Sequence, residues 1–305
     1  MEKQFVLVLD IGTTNIKAIL FDKQGEIFAE ARRRPDYIME EKGQVEQDPE
    51  QIWELSREAI EEVISKNNLS ASNIDSMGIS TQRASFLIWD KRNRKFYSNI
   101  ITWQDKRAAE YAEQMSNSFF FKFLRGMTKV MHALTRSTKM LTASMLQFNS
   151  DYASIRTSYF LKKHPKLNEL IQDPKTSIAW GTIDSWILWN LTEGRVHATD
   201  YSNASSTGLV DPFTLEWNSI VINKLKIPTY ILPEKKDTNA EFGVTKLFGN
   251  GEIPIRCIVA DQQASLFGQC CFEKGDMKVT NGTGSFVDLN TGDEPFASKR
   301  KLYPL

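Results

Sequence analysis

The feature that most constrains this chain is a short apolar strand that ends at an acidic residue and opens into a glycine turn. The apolar run 6–9 leads to Asp10, Gly12 and two threonines, and a second apolar run begins at Ile16. Glycine lets an anion approach the backbone closely, and successive N–H groups in such a turn can bind that anion. A carboxylate beside an anion site is typical of a divalent cation that bridges carboxylate and phosphate. These residues alone are about equally compatible with an ordinary hairpin and a solvated Asp10.

The composition of the chain indicates a globular protein with a packed core. Of its 305 residues, 41% are hydrophobic and 25% are charged, which suits one large domain or two. The 38 basic residues are balanced by 38 acidic residues, so the formal net charge is zero. Proteins dedicated to nucleic acid usually carry a basic excess, and we therefore expect no nucleic-acid partner.

The cysteines and the N-terminus predict a reduced, cytoplasmic protein. Cys257, Cys270 and Cys271 form no Cys-x-x-Cys pair, and adjacent cysteines are poor partners for a structural disulfide. Because the N-terminus lacks a basic region and its apolar run is interrupted by Asp10, we expect no signal peptide. No apolar run approaches the roughly 18 residues of a transmembrane helix. The three histidines lack the spacing of a zinc site.

Hydrophobic periodicity predicts strands and helices along the whole chain. The first three strands, the last over 26–31, are joined by short turns and form a meander. Asp48 and Pro49 mark a helix start, and the apolar stripe beyond them predicts an amphipathic helix to about Lys66. The other predicted elements are strands over 74–80, 84–89 and 253–259, helices over 108–115 and 181–191, and a hydroxyl-rich loop over 199–208.

Two polar segments in the first half of the chain are candidates for a ligand site. Arg83 stands at a strand end, where a charged side chain can reach into a cleft. Trp103 stands beside a run of polar residues and can supply a flat apolar wall for a small hydroxylated ligand. A core Trp103, with Asp105 capping the next helix, is an equally compatible interpretation.

A second strand-end carboxylate is the candidate general base. The alternating strand 253–259 ends at Asp261, and helical spacing of apolar residues begins at Ala264. The dipole of a helix start favours the ionised form of Asp261, which can then accept a hydroxyl proton. A plain helix-capping role for Asp261 is the alternative.

The segment 278–290 repeats the opening device as a strand, a turn of glycine and threonine, and another strand. One such turn is a weak signal. Two phosphate-shaped hairpins, with Asp261 before the second, are hard to attribute to coincidence.

The segment 116–147 carries five basic residues and no acidic residue. Lys122, Arg125, Lys129 and Arg136 fall on one helical face, and large apolar residues cover the rest. A basic amphipathic helix can bind a membrane surface or an acidic partner. A stripe that packs on its own protein, with solvated charges, is the alternative.

Several motifs together identify a family. They are Asp10-Ile11-Gly12-Thr13-Thr14, Gln82-Arg83, Trp103-Gln104-Asp105-Lys106-Arg107, Gly181-Thr182-Ile183-Asp184-Ser185-Trp186, Ser202-Asn203-Ala204-Ser205, Ala260-Asp261-Gln262-Gln263 and Asn281-Gly282-Thr283-Gly284. With these motifs the chain resembles the FGGY carbohydrate kinases over nearly its whole length, and within them the glycerol kinases. The resemblance implies an α/β protein with the actin-like ATPase (ribonuclease H-like) fold and ATP-dependent phosphorylation of a small polyol.

The resemblance also implies roles for individual residues. The residues implied to bind the nucleotide phosphates are Gly12, Thr13, Thr14, Asn15, Lys17, Thr283 and Gly284. Asp10 is implied to bind Mg²⁺ through water, and Asp261 to be the general base. The residues implied to bind the polyol are Arg83, Trp103, Asp261, Gln262 and Phe286. This set is coherent, because phosphoryl transfer needs positioning, a metal, phosphate donors and a base.

The chain departs from the glycerol kinase pattern at two positions. Glycerol kinases carry a Glu after the Arg, where this chain has Ala84, and their substrate-binding Tyr has no secure counterpart near Tyr152. The loss of polar ligands from a small site weakens substrate discrimination.

The resemblance divides the chain into an N-terminal lobe, 5–269, and the start of a truncated C-terminal lobe, 270–305. The chain alone is therefore expected to bind nucleotide weakly and to turn over slowly. The alternative function is a catalytically weak or inactive kinase fold that acts as a regulatory or scaffold partner, and oligomerisation is compatible with either.

Overall fold

The computed structural model describes residues 4–282, 284–293 and 295–296. Its strands are β1 (Phe5–Ile11), β2 (Ile16–Phe21), β3 (Ile27–Arg33), β4 (Glu46–Gln47), β5 (Ile74–Thr81), β6 (Phe86–Asp90), β7 (Ile100–Ile101), β8 (Ile178–Thr182), β9 (Ala198–Asp200), β10 (Glu234–Lys236), β11 (Gly243–Thr245), β12 (Ile253–Ala260), β13 (Met277–Asn281) and β14 (Ser285–Leu289).

In sequence, most of the helices occur between strands of the two larger sheets. They are α1 (Pro49–Ser65), α2 (Ala109–Ser116), α3 (Phe119–Thr135), α4 (Thr138–Ser144), α5 (Ala153–Lys163), α6 (Pro165–Ile171), α7 (Ile183–Leu191), α8 (Tyr201–Ser205), α9 (Ser219–Leu225) and α10 (Asp261–Gly268). Helix α1 starts as predicted, since Asp48 accepts hydrogen bonds from the backbone N–H groups of Glu50 and Gln51.

The main sheet has six strands in the order β11-β12-β5-β1-β2-β3. The first three strands form the predicted antiparallel meander, while β5 pairs parallel to both β1 and β12. In this register Thr81 lies opposite both Ile11 and Ala260, so three parallel strands end at the same edge. The residues at or just after the ends of those strands include the candidates Asp10, Arg83 and Asp261, and the parallel pairing therefore brings distant segments together.

Two apolar clusters hold the structure together. The first packs β1, β2 and β5 against α1 and α7 and contains Trp53, Trp89, Trp186 and Trp189. The second surrounds the four-stranded antiparallel sheet β4-β7-β6-β8 and includes Phe86 and Trp180, which stack with ring centroids 5.6 Å apart. Both sheets therefore rest on buried aromatic side chains.

Some local predictions were wrong. The predicted helix 181–191 begins two residues late, because Gly181 and Thr182 complete β8, where they pair with β6. The predicted loop 199–208 contains the end of β9 and the short helix α8, which Asp200 caps. Side-chain hydrogen bonds from Ser202 and Asn203 to this same carboxylate explain why a hydroxyl-rich segment is ordered and mostly buried.

The basic segment 116–147 is not one helix. Helix α3 ends at Thr135 and is capped by Arg136, which adopts a left-handed backbone conformation, and α4 follows after Ser137. In the described part of the chain no helix is both long and apolar enough to cross a membrane.

Candidate active site

A cavity of about 430 Å³ opens at the edge where β1, β5 and β12 end. Its lining contains every predicted site residue that the structure describes: Asp10, Gly12, Thr13, Thr14, Asn15, Lys17, Arg83, Trp103, Asp261, Gln262, Gly284 and Phe286. Thr283 lies outside the described residues. The structure therefore brings residues separated by up to 276 positions in sequence, from Asp10 to Phe286, around a single space.

The turn over residues 12–15, which we call the opening turn, is tight and is held from several sides. The N–H of Gly12 donates to the carbonyl of Asn15 at 2.9 Å. A Cβ at Gly12 would lie 3.3 Å from that same oxygen, so glycine gives the turn its close approach. The carbonyl of Thr13 accepts a hydrogen bond from the hydroxyl of Tyr37 at 2.6 Å. The turn is thus fixed before any ligand binds.

Trp103 connects this turn to the opposite wall of the cavity. Its Nε1 donates to Oγ1 of Thr13 at 3.1 Å, and its ring meets that of Phe286 edge to face with centroids 5.7 Å apart. Trp103 therefore combines both interpretations of its sequence: it is half-buried and also lines the cavity. Asp105 does not cap α2, because its carboxylate accepts hydrogen bonds from the N–H groups of Val45 and Arg107 instead.

Asp10, on β1, and Asp261, directly after β12, face the same cavity from the two strands that flank β5. Burial raises the pKa of Asp10 above its usual value of 3.8, although the ammonium of Lys17, 3.7 Å away, lowers it again. Burial also raises the pKa of Asp261, the nearby Arg83 lowers it, and the negative charge of Asp10 raises it further. The carboxylate of Asp10 is therefore close enough to influence the ionisation of Asp261.

Asp261 is the first residue of α10 and not its cap, a position that Ala260 occupies. Its carboxylate is thus not used to close the helix end. Oδ1 of Asp261 lies 3.9 Å from Nε of Arg83. Among the described residues, neither this oxygen nor Nη1 of Arg83 has a hydrogen-bond partner, although both atoms are buried. Buried polar atoms without partners at a cavity are typical of groups that bind a polar ligand.

The sequence did not indicate Lys278, whose side chain is fully buried beside the cavity. Its Nζ donates to Oε1 of Gln262 at 2.7 Å and to Oγ1 of Thr280 at 2.8 Å, and it lies 3.1 Å from Oδ2 of Asp288. An ammonium can only donate, so Gln262 must present its oxygen to Lys278 and its amide hydrogens elsewhere. The sequence signal that could have found this pair is the spacing of Lys278 and Thr280. Two residues apart on a strand, their side chains share one face of β13.

Six further lining residues were not among the predicted site residues. They are Ala84, Asp151, Tyr152, Ser206, Thr280 and Gly282. Tyr152 lies in the cavity although its position lacked a secure counterpart in the family pattern. Its signal was weak because it comes from the segment before α5, which meets the cavity only in the tertiary structure.

The residues present fit a nucleotide phosphate and a divalent cation. No group of three or more acidic, histidine or cysteine side chains occurs in the described residues that could enclose a metal by itself. Asp10 could instead hold Mg²⁺ together with water and phosphate oxygens, the arrangement that Mg²⁺ usually adopts. Lys17 and the donors of the opening turn would lie beside those phosphates.

Comparison with known proteins decides the family. The model of the N-terminal domain of the FGGY family of carbohydrate kinases matches residues 5–268. The chain belongs to the FGGY family of carbohydrate kinases. Glycerol kinase 5 of Danio rerio is 40% identical to this FGGY chain over 303 residues, which cover 99% of the chain and 57% of that relative. Glycerol kinase of Francisella philomiragia is 36% identical over 305 residues, with shares of 99% and 58%. The FGGY chain thus spans somewhat more than half the length of these relatives.

Solved structures give the same fold. Plasmodium falciparum glycerol kinase with ADP matches this FGGY chain with a TM-score of 0.85 and 27% identity, covering 98% of the chain and 56% of that structure. A ligand-bound xylulose kinase from Lactobacillus acidophilus, at 22% identity and a TM-score of 0.72, shows likeness of fold alone. The chain has the actin-like ATPase fold that its motifs implied, and its relatives are sugar and polyol kinases.

Proposed function

We propose that this FGGY chain forms the polyol-binding lobe of an ATP-dependent kinase that phosphorylates glycerol or a related small polyol. The observation that carries the proposal is the convergence of Asp10, Asp261 and the opening turn on one cavity. Beside it, Asp261 and Arg83 each have a buried polar atom with no hydrogen-bond partner among the described residues. A proton acceptor, a cation ligand and phosphate donors around one small space are the parts that phosphoryl transfer needs.

In this mechanism a hydroxyl oxygen of the polyol attacks the γ-phosphorus of ATP, and the bond to the leaving ADP oxygen breaks. The hydroxyl proton passes to the carboxylate of Asp261. Mg²⁺, when bound, supplies charge neutralisation for the phosphate oxygens. The positive charge of Arg83 favours the ionised form of Asp261, since it lowers a pKa that burial has raised.

The polyol is oriented by one apolar wall and by fixed donors. The rings of Trp103 and Phe286 form the wall, against which the carbon atoms of a small polyol can pack. Gln262 can donate its amide hydrogens to a hydroxyl because Lys278 occupies its oxygen. We also propose a boundary between the lobes near residue 269, after which β13 and β14 pair only with each other within the described residues.

The test is an activity assay on a chimera, because the relatives are longer than this chain. The chain is joined to the part of Danio rerio glycerol kinase 5 that lies beyond the match, and formation of ADP is measured with glycerol and other polyols. We expect Asp261→Asn to lower kcat by about 10²–10⁴-fold and to leave the KM for ATP little changed. Asp75→Asn, on the exposed start of β5, is the matched control.

Two results would contradict the proposal. One is an active chimera in which Asp261→Asn keeps the parent kcat. The other is a folded chimera that phosphorylates none of the polyols, which would favour the regulatory or scaffold function instead.

A further inference from the structure

Helix α3 presents an apolar surface to solvent. Phe119, Phe123, Met127, Val130 and Leu134 are between 48% and 86% exposed. At about 100° per residue they fall within an arc of about 80°. Phe121 and Thr128, on the opposite side of the helix, are buried against the protein. Large exposed apolar surfaces of this kind usually mark an interaction site. We call these five residues the apolar stripe.

The helix is anchored to the lobe, so the exposure of the apolar stripe is a feature of the fold. The ring of Phe121 packs on that of Phe148 with centroids 4.8 Å apart. The guanidinium of Arg125 donates to the carbonyls of Ser116, before α3, and Leu146, after α4. These two bonds tie the beginning and the end of the α3–α4 segment together. One face of α3 is thus used for packing, and in the part of the chain that the structure describes the apolar stripe is left exposed.

A row of cations runs along one side of the apolar stripe. Lys122 and Lys129 lie seven residues apart on α3, Arg136 caps its C-terminal end, and all three side chains are exposed. In the described part of the chain none of them forms an ion pair, whereas Arg125 and Lys139 are engaged with other parts of the protein. We call these three residues the basic row.

The charge around α3 differs from that of the rest of the chain. Residues 116–147 contain five basic residues and no acidic residue, while the whole chain has 38 of each. The remaining chain is therefore acidic overall. The apolar stripe and the basic row thus lie together on a segment without acidic residues, and a partner for this surface should be apolar and anionic.

We propose that α3 docks on an anionic membrane surface, with the apolar stripe in the interface and the basic row against lipid phosphates. This combination of aromatic and aliphatic residues beside Lys and Arg is characteristic of helices that lie in the plane of a bilayer. A symmetric pair of chains is disfavoured, because an isologous contact would bring the two basic rows close together without acidic counterparts.

The direct test is binding of the purified 305-residue chain to lipid vesicles, measured by co-sedimentation. Phosphatidylcholine vesicles that contain phosphatidylserine are compared with pure phosphatidylcholine vesicles. We expect binding to the anionic vesicles, weakened by added salt. Replacement of Lys122, Lys129 and Arg136 by Gln should reduce the partition coefficient by about 100-fold, since each cation near the surface contributes about fivefold.

Two further variants separate the apolar contribution to vesicle binding from the contribution of charge. Phe119→Gln combined with Phe123→Gln removes apolar contact from exposed positions and should also weaken binding. Replacement of Lys42, Lys166 and Lys175 by Gln makes the same change in net charge at exposed positions elsewhere, and should leave binding close to that of the parent.

The proposal is overturned if the chain binds neither type of vesicle, or binds both equally. It is also overturned if the control triple variant reduces binding as much as the basic-row variant. Concentration-dependent dimers that the Phe119→Gln, Phe123→Gln variant abolishes, without vesicle binding by the parent, would instead assign the apolar stripe to a contact between copies.

Discussion

Nη2 of Arg156 donates a hydrogen bond of 2.7 Å to the carbonyl of Ala84, in the wall of the cavity. The same guanidinium donates to the carbonyls of Ile101, Thr102 and Asp151, so one buried cation ties three separate segments together. Desolvation lowers its pKa to about 10, and the side chain stays charged at neutral pH. Ala84 adopts a left-handed backbone conformation with φ of 59°, which Arg156 helps to hold.

We expect Arg156→Lys to raise the KM for the polyol by about 10–100-fold. An ammonium cannot reach all four carbonyls, and the cavity walls beside Arg83 and Trp103 should therefore shift. The KM for ATP should change little. Steady-state kinetics of the chimera measure both constants. Arg195→Lys is the matched control, since this more exposed arginine also donates to backbone carbonyls, those of Thr192 and Val244. An unchanged polyol KM in Arg156→Lys would show that the walls do not depend on it.

Lys278 should act through Gln262. We expect Lys278→Met to lower kcat/KM for the polyol by about 10–100-fold, since the amide of Gln262 loses the partner that fixes its orientation. The Lys278→Met, Gln262→Ala double variant should be little worse than Gln262→Ala alone. Lys274→Met, an exposed lysine just before β13, is the control. Additive losses in the double variant would mean that Lys278 acts independently of Gln262.

The pH profile of the chimera should report Asp261. Its pKa is raised by burial, and the reaction needs the ionised form, so kcat/KM should fall on the acid side with a pKa above the usual 3.8 of aspartate. Arg83→Gln removes the charge that lowers this pKa, and the acid limb should therefore move to higher pH. Arg92→Gln, on an exposed turn, should leave the limb in place. A limb that moves to lower pH in Arg83→Gln would exclude Asp261 as the titrating base.

The stability of the fold should depend on Asp184, which is buried in α7 and accepts a hydrogen bond of 2.6 Å from Thr199. Burial raises its pKa from 3.8 to about 7. The folded state then holds the proton more tightly than the unfolded state, so this group destabilises the protein as pH rises from about 4 to about 7. His197, whose pKa burial lowers to about 4, contributes with the opposite sign over much of the same range.

Asp184→Asn removes the pH-dependent contribution of Asp184 to stability and keeps that of His197. The free energy of unfolding of the variant minus that of the parent should increase by a few kcal/mol between pH 4 and pH 7. Urea unfolding of the 305-residue chain at several pH values measures this difference, with Asp75→Asn as the control. A difference that stays constant with pH would show that Asp184 is not protonated in the folded protein.

Two glycines should respond oppositely to alanine. A Cβ at Gly181 would lie 2.8 Å from Cβ of Ser185 and 3.0 Å from the ring of Trp89, so Gly181→Ala should destabilise the fold by about 1–3 kcal/mol. Gly126 is exposed inside α3 with no atom within 4 Å of a Cβ, so Gly126→Ala should stabilise it by about 0.5–1 kcal/mol. Urea midpoints measure both. Equal effects of the two substitutions would contradict the packing around Gly181.

Local sequence patterns predicted many of the strands and helices of this protein and the positions of several site residues. The apolar run before Asp10, the cap at Asp48 and the alternation before Asp261 are short-range patterns, and the corresponding strands and helix are present. The strand-end positions of Asp10, Arg83 and Asp261 followed from the same patterns. These features could be predicted because backbone geometry and hydrophobic periodicity are decided within a few residues.

Tertiary structure alone decided which of these residues meet. The parallel pairing of β5 with β1 and β12 sets the common edge, and no local pattern encodes that register. The burial of Lys278 and Arg156 likewise depends on segments far away in sequence, which supply the acceptors that make a buried cation tolerable. Sequence determined the chemical groups and the elements that carry them, while long-range packing determined their distances, their ionisation and the exposed face of α3.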